Sequence, residues 1–455
     1  MIATFGICLG FMFAREQWVY GLGLVVFAFV LLWPVEATLG GYAFLLPFDS
    51  ISRLGNSPEA RALTWYVGAS ASLVLLILGL TNDKLRTPPR TSWYWIGLMS
   101  LGSISLFWAL DSNIVIAELP TVLGLLGLYL VTVCFEISET QFSRITFLAI
   151  AGGMAAAMVS LWDFHQGIWT IETRASLIAG THQADPNVFA ASLLIALTLG
   201  VARLVSSRRF SERVFMLFAV FATAAAILLT MSRGALVALI VAAVVFSYRF
   251  KRNRWILFFF SLLPLSTVVL PSLFFVRLKD ALLSGGAGRL DIWVVGLAAF
   301  KHFFVRGAGL GNFVSAYEQF RQVAPSFRGF SRPAHNIYLQ VSVELGILGI
   351  CLLVAAVLSQ LLVLWRAIAS SRSVRPRAIL VGCEAMICSM LAAAFFLGML
   401  WEKSFWMVWI ISALAVRTTA RFAPTAPRVH AVSPALPVRN TNLLPQPCFR
   451  TELNA

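Results

Sequence analysis

Three short stretches of this chain hold the side chains best suited to chemistry. The first places Arg233 in a tight turn between two apolar runs, the second opens with Arg289, and the third holds His335 just before a long apolar segment. Arginine engages phosphate oxygens through a planar fork and keeps its charge when buried. An imidazole, with an unperturbed pKa of about 6.5, can accept a proton near neutral pH. Together these side chains suit proton transfer on a substrate that carries phosphate.

The segment that follows His335 carries a polar stripe. Asn336, Gln340 and Glu344 recur every four residues and therefore share one helical face. The carboxylate would lie about 12 Å below the helix start, where it must face a protein interior and find a donor. We expect Glu344 to be structural and to pair with an arginine. The embedded polar groups favour a functional His335.

Each stretch also has a simpler interpretation. Arg233 could extend to headgroup phosphates, and Arg289 with Asp291 could form a surface ion pair of little energetic worth. A lone histidine at a helix start is commonly a satisfied interfacial residue. The glycine-rich run from Gly307 to Gly311 resembles a phosphate-binding turn, but no strand precedes it, so a plain turn is favoured.

Several metal and nucleotide motifs are missing from the sequence. The outer loops contain no HExxH, no paired Asp-x-Asp, no P-loop and no cluster of carboxylates. The six cysteines are scattered without metal-site spacing. We therefore expect no metal and no cofactor, and any phosphate charge must be met by arginine.

The composition decides what kind of chain positions these residues. Of 455 residues, 59% are hydrophobic and 12% are charged, and the mean hydropathy is +0.83. A water-soluble fold is excluded by these values. We predict an all-α polytopic membrane protein with about 12 transmembrane helices, at residues 19–33, 63–80, 93–110, 120–135, 145–162, 188–205, 214–230, 235–246, 255–275, 337–365, 379–400 and 405–416. Residues 2–14 form a shorter apolar stretch, interpreted as a half-span or interfacial helix.

The basic residues define the orientation. The net charge of +15 comes mostly from Lys and Arg in alternate connections between apolar runs, which indicates membrane topology rather than nucleic-acid binding. This places both termini in the cytoplasm. The predicted organisation is transmembrane helices 1–9 in residues 1–276, an outer cap loop at 277–336, helices 10–12 in 337–416 and a disordered tail at 417–455. The cap loop carries eight basic and three acidic residues between 277 and 334, which suggests an anionic ligand.

Taken in order, the three stretches resemble the O-antigen ligase and polymerase superfamily of bacterial inner-membrane proteins. The likeness covers roughly residues 185–362. It rests on Ser232-Arg233-Gly234-Ala235-Leu236, on Gly288-Arg289 with Trp293, on Gly307-Ala308-Gly309-Leu310-Gly311-Asn312-Phe313, and on His335-Asn336-Ile337-Tyr338-Leu339-Gln340 with Glu344-Leu345-Gly346 and Gly349.

The resemblance implies a metal-independent, inverting glycosyltransferase that works on the periplasmic face. Its donor would be a glycan on undecaprenyl diphosphate, and its acceptor a sugar hydroxyl of the lipid A core. His335 would be the general base, while Arg233 and Arg289 would hold the diphosphate. Further candidates for the same pocket are Arg332, Arg321 and Arg328.

Two alternatives stay open at this point. An O-antigen or exopolysaccharide polymerase would share the donor chemistry and differ mainly in its acceptor. A multi-span transporter is disfavoured, because polar residues cluster at the outer surface and the sequence shows no internal repeat.

Overall fold

The computed structural model describes residues 29–53, 61–168, 174–180, 182–250, 288–324, 326 and 329–420. These residues are mostly helical. After a π-helix at Glu36–Gly40, the α-helices are α1 (Gly41–Leu45), α2 (Leu63–Thr81), α3 (Ser92–Ile104), α4 (Ser112–Cys134), α5 (Glu139–His165), α6 (Pro186–Ser206), α7 (Phe210–Leu229), α8 (Arg233–Phe250), α9 (Arg289–His302), α10 (Phe313–Phe320), α11 (Ile337–Ser370), α12 (Val374–Ala394) and α13 (Lys403–Ala420). Two antiparallel two-residue strands, β1 (Ile178–Ala179) and β2 (His182–Gln183), precede α6.

Eight helices among the described residues are long and apolar enough to cross a membrane. They are α2, α4, α5, α6, α7, α8, α11 and α12. Of the other four predicted spans, 255–275 and most of 19–33 lie outside the described residues. The remaining two coincide with α3, which has only 13 residues, and with α13, which has Lys403 and Arg417 near its ends. The fold is thus that of a polytopic helical membrane protein with eight candidate spans in this part of the chain.

The interior of the bundle is formed around α6 and α13. Nearly every residue of α6 from Phe189 to Arg203 is buried, and the middle of α13 is buried on all sides. A helix that is apolar all round belongs in such a position. Trp95 of α3 packs between Trp406 and Trp409 of α13, with ring centroids 5.2 and 5.0 Å apart. Helix α3 is too short to count as a candidate span, and α13, which has the required length, is instead packed against protein.

A break in α11 receives the glycine-rich run. Gly346 has a φ of +66°, which interrupts the helix two residues after Glu344, the last residue of the polar stripe. At this break the backbone N–H of Ala308 donates to the carbonyl of Val343 at 2.8 Å, and that of Gly309 to the carbonyl of Glu344 at 2.9 Å. A Cβ on Gly307 would lie 2.2 Å from the Glu344 oxygen. The run is therefore a structural turn whose N–H groups are already engaged, rather than a phosphate cradle.

Residues 289–324, termed the α9–α10 unit, have a hydrophobic cluster of their own. Val295 and Ala299 of α9 pack with Phe313 and Tyr317 of α10 and with Leu339 of α11. The N–H of Leu310 donates to Ser105 Oγ at 2.9 Å, and the side chain of Asn312 exchanges hydrogen bonds with the backbone of Asp111. The unit is thereby held against α11 and against the connection between α3 and α4, which positions the first turn of α9.

Candidate active site

Four helix starts supply the charged residues at one end of the bundle. Asp185 caps α6, Arg233 opens α8, Arg289 opens α9 and His335 stands immediately before the N-cap of α11. The electrostatic environment of Arg289 shows that these starts are neighbours. Its pKa is lowered first by burial and then by Arg233 and Arg174, while Asp185 acts in the opposite direction. Several cations therefore share one partly buried region in which Asp185 is the one carboxylate that acts on Arg289 among the described residues.

Aromatic contacts hold the second and third stretches together. Trp293 lies one helical turn after Arg289, and its Nε1 donates to the carbonyl of Ala334 at 3.1 Å. The same indole packs edge-on against Phe395 at 5.3 Å. Because Ala334 directly precedes His335, this hydrogen bond ties the start of α9 to the histidine.

The turn that carries Arg233 is joined to the same group of rings. Gly234 lies against Phe396, where an added Cβ would be 3.1 Å from the Phe396 Cβ, and Phe396 packs on Phe395 with ring centroids 5.3 Å apart. Glycine allows this close approach of α8. The starts of α8, α9 and α11 are therefore joined through one aromatic cluster, formed by Trp293, Phe395 and Phe396.

His335 adopts an uncommon backbone conformation. Its φ is +46°, in the left-handed region that non-glycine residues seldom occupy. Such conformations cost on the order of 1–3 kcal/mol and cluster at functional sites. The neighbouring Asn336 caps α11, with Oδ1 accepting from the N–H groups of Tyr338 at 2.9 Å and Leu339 at 3.0 Å. Asn336 thus has a structural role: by capping α11, it fixes the position of His335 at the start of that helix.

The protonation of His335 follows from its surroundings. Burial lowers its pKa below the usual value of 6.5, and Arg289 and Arg332 lower it further, while Asp185 partly opposes the shift. The imidazole is therefore neutral at pH 7 and has a free nitrogen lone pair. A neutral imidazole beside arginines can accept a proton but does not compete with them for an anion.

The polar stripe of α11 is only partly satisfied within itself, because Glu344 Oε2 has no hydrogen-bond partner from a described residue. Glu344 is 1% exposed, and its Oε1 accepts from Gln340 Nε2 at 3.1 Å. The expectation of an arginine partner for Glu344 is not met among the described residues: its other contacts are with the backbone of Gly311 and Phe313. The amide and the glycine-rich turn occupy the space that an arginine would need. Gln340 and Glu344 therefore belong to the support beneath the site.

The remaining arginine candidates differ in position. Arg332 is close enough to influence His335. Arg321 is engaged elsewhere, 3.6 Å from Glu318 and stacked 4.5 Å above the ring of Phe330. Arg328 lies outside the described residues. The structure thus places Arg332 near His335, whereas Arg321 is engaged with Glu318 and Phe330 at the end of α10.

Two residues that the sequence analysis did not single out lie at this end of the bundle. Asp185 caps α6, with Oδ1 accepting from the N–H groups of Asn187 and Val188, and it also faces Arg289 and His335. Arg174 donates to the carbonyl of Thr230 at 2.7 Å and to Asn187 Oδ1 at 2.7 Å. Arg174 and Arg233 are each the only Lys or Arg in their own connection, a signal in the sequence that could have identified Arg174.

The arrangement can bind an anion and accept a proton. Among the described residues, the charges that act on Arg289 are two arginines, Arg233 and Arg174, and one carboxylate, Asp185, and helix starts contribute partial positive charge. In the described ranges, no group of three or more His, Cys, Asp or Glu side chains could hold a metal ion. The available chemistry is thus charge neutralisation by guanidinium groups next to a neutral imidazole.

Comparison with known proteins points to one family. A search among curated proteins finds no match. A family model described as O-Antigen ligase matches residues 218–354, a region that contains Arg233, Arg289 and His335. The match does not separate ligases from polymerases. Over residues 218–354, the chain is thus similar to the O-antigen ligase family.

Proposed function

We propose that this protein is an O-antigen ligase, which transfers a glycan from undecaprenyl diphosphate to a sugar hydroxyl of the lipid A core and so completes lipopolysaccharide. The observation that carries the proposal is the meeting of Arg233, Arg289 and His335 at one end of the bundle, although more than 40 residues separate each from the next in the sequence. A polymerase of the same superfamily is the alternative.

The arginines are assigned to the diphosphate of the donor. Arg233 and Arg289 each open a helix, so a diphosphate between them would meet two guanidinium forks and the positive ends of α8 and α9. No described residue caps the start of α9 with its side chain, so its first N–H groups could donate to the diphosphate. Fixed cations in a partly buried site stabilise the charge that develops on a leaving diphosphate.

His335 is assigned to the acceptor hydroxyl. As the hydroxyl oxygen attacks the anomeric carbon, the imidazole takes its proton, and the bond from that carbon to the diphosphate oxygen breaks. The electron pair leaves with undecaprenyl diphosphate, whose added negative charge is met by the arginines. Attack from the face opposite the leaving group inverts the anomeric configuration. A neutral imidazole at pH 7 is the form that this step requires.

The membrane arrangement follows from loop charge. We place the protein in the bacterial inner membrane with twelve spans, both termini in the cytoplasm and the site facing the periplasm, because basic residues concentrate in the connections at the other end. The α9–α10 unit would form part of a periplasmic cap over residues 277–336, which excludes water from a transfer that competes with hydrolysis. Lipid tails of both substrates would enter sideways between helices.

Lipopolysaccharide banding in a deletion strain tests the function. Loss of a ligase leaves bare lipid A core and accumulates carrier-linked glycan, whereas loss of a polymerase leaves core with a single repeat. The first pattern, restored by the wild-type gene and not by an Arg289→Ala variant of equal abundance, is expected. A normal ladder in the deletion strain would reject both functions.

Metal independence is tested separately. Because the arginines supply the neutralising charge, transfer by the purified protein should persist in excess EDTA. Activity that vanishes with EDTA and returns with magnesium or manganese would contradict the assignment of Arg233 and Arg289.

A further inference from the structure

A large cavity lies at the opposite end of the bundle from His335. Its volume is about 920 Å³, and it is lined where α6 ends and where α7 and α12 begin, with the start of α5 and the last turn of α13 completing it. Since α6 has 21 residues, its two ends are about 30 Å apart. That distance is the thickness of a bilayer core, so the cavity lies at the membrane surface opposite the candidate active site.

The lining of the cavity is strongly cationic. It contains two carboxylates, Glu139 and Glu212, and an excess of four positive charges from six arginines: Arg203, Arg208, Arg209, Arg213, Arg372 and Arg375. A volume near 900 Å³ is in the range of small-molecule sites. The cavity is therefore large enough for an anion and lacks the acidic residues that would neutralise it.

The burial of Arg203 distinguishes this cavity from a protein surface that carries only exposed basic residues. Its side chain is 9% exposed, and its Nη2 donates to Ser143 Oγ at 2.9 Å, to Thr146 Oγ1 at 2.8 Å and to the Ser143 carbonyl. Its Nη1 lies 3.6 Å from Glu212, and its Nε has no hydrogen-bond partner in the protein. Loop topology accounts for exposed arginines but not for a buried, incompletely neutralised one.

We propose that this cavity binds the headgroup of an anionic phospholipid through its phosphodiester. The exposed arginines at the rim would engage the phosphate oxygens, and the buried Arg203 would contribute long-range positive charge. Val374 lines the cavity and is 65% exposed, which offers an apolar surface where acyl chains can leave toward the membrane. Basic pockets between helices at a membrane surface are typical sites for anionic headgroups.

The bound lipid would contact several helices at once, and the opposite ends of two of these helices lie at the candidate active site. At their opposite ends α6 begins at the Asp185 cap, and α12 leads into Phe395, which packs on Trp293. Filling the cavity should therefore raise the thermal stability of the whole bundle.

The test uses the purified full-length protein in mixed micelles. Thermal midpoints are measured as phosphatidylglycerol is added, with phosphatidylcholine and inorganic phosphate in parallel, and retained lipid is identified by native mass spectrometry. The variants are the double Arg372→Gln/Arg375→Gln and the control Arg377→Gln, an exposed arginine of α12 that does not line the cavity.

Phosphatidylglycerol should raise the midpoint of the wild type and of Arg377→Gln, and phosphatidylcholine should not. In the double variant, the lipid concentration at half-saturation should be about 30-fold higher, because the loss of each arginine weakens lipid binding roughly fivefold. If that variant does not fold, the exposed pair Arg208→Gln/Arg209→Gln replaces it. Equal weakening by Arg377→Gln, no preference between the two lipids, or an equal effect of millimolar phosphate would overturn the proposal.

Discussion

The most informative perturbation is His335→Asn. His335 has a φ of +46°, so replacement by alanine would add backbone strain to the loss of the imidazole. Asparagine tolerates the left-handed region better than alanine does. It offers polar atoms of similar reach but cannot accept a proton at neutral pH. The variant therefore separates the proposed base from the conformation of the α11 start.

The size of the effect follows from the assigned role. General base catalysis contributes about 10²–10⁴ to a rate, which corresponds to about 3–5 kcal/mol of activation free energy. We expect His335→Asn to lose that factor in kcat while it binds the lipid-linked donor as the wild type does, since the arginines are unchanged. Its thermal midpoint should stay close to that of the wild type.

The pH profile provides a second readout. Because burial, Arg289 and Arg332 lower the pKa of His335, the imidazole stays neutral to lower pH than an ordinary histidine does. The acidic decline of the wild-type rate should therefore lie at lower pH than an unperturbed imidazole would give. The residual rate of His335→Asn should lack this decline.

The assay is glycan transfer by purified protein from a lipid-linked donor to isolated lipid A core. His302→Asn is the matched control, because His302 packs on Phe303 and Phe320 about 20 Å along α9 from Arg289. Retention of more than about a tenth of the wild-type rate by His335→Asn, against the 10²-fold minimum for a base, would refute the reasoning. So would an unchanged acidic decline in that variant.

Three further substitutions test other parts of the structure. Arg289→Lys should insert normally but transfer roughly 10–100-fold more slowly, because an ammonium loses one of two charge-assisted hydrogen bonds; near-normal transfer would reject the bidentate role, and Arg321→Lys is its control. Gly307→Ala should lower stability by at least about 1–3 kcal/mol, since φ is +75° and the Cβ would meet the Glu344 carbonyl, whereas Gly124→Ala, with open space around it, should not; equal thermal midpoints would contradict the turn. Burial and then Asp49 raise the pKa of Glu402 to about 7, so the folded state holds its proton more tightly than the unfolded state, and stability should fall as pH rises from about 4.5 through 7. Glu402→Gln should therefore be more stable than the wild type at pH 8 and similar to it at pH 5; a less stable variant at pH 8 would be inconsistent with that burial.

The local properties of the chain could be predicted from sequence because they depend on neighbouring residues. Apolar runs correctly indicated the eight candidate spans, since each helix must satisfy its own backbone in lipid. The pattern of residue types singled out Arg233, Arg289 and His335, and the four-residue spacing placed Gln340 and Glu344 in contact. The apolar runs were less reliable for α3, which forms a helix of only 13 residues, and for α13, because a helix packed against protein has no need of a lipid-facing composition.

Relations between distant segments were decided only by tertiary packing. Asp185 and Arg174 approach Arg289 because α6, α8 and α9 all begin at the same end of the bundle, and no spacing in the sequence encodes that coincidence. The partner of Glu344 was mistaken for the same reason: the break at Gly346 admits the Gly307–Gly311 turn into the space expected for an arginine. The cationic cavity likewise arises where the ends of five helices meet. Helix formation is settled by local hydrogen bonds and burial, whereas the choice of which helix ends adjoin depends on side-chain packing across the whole bundle.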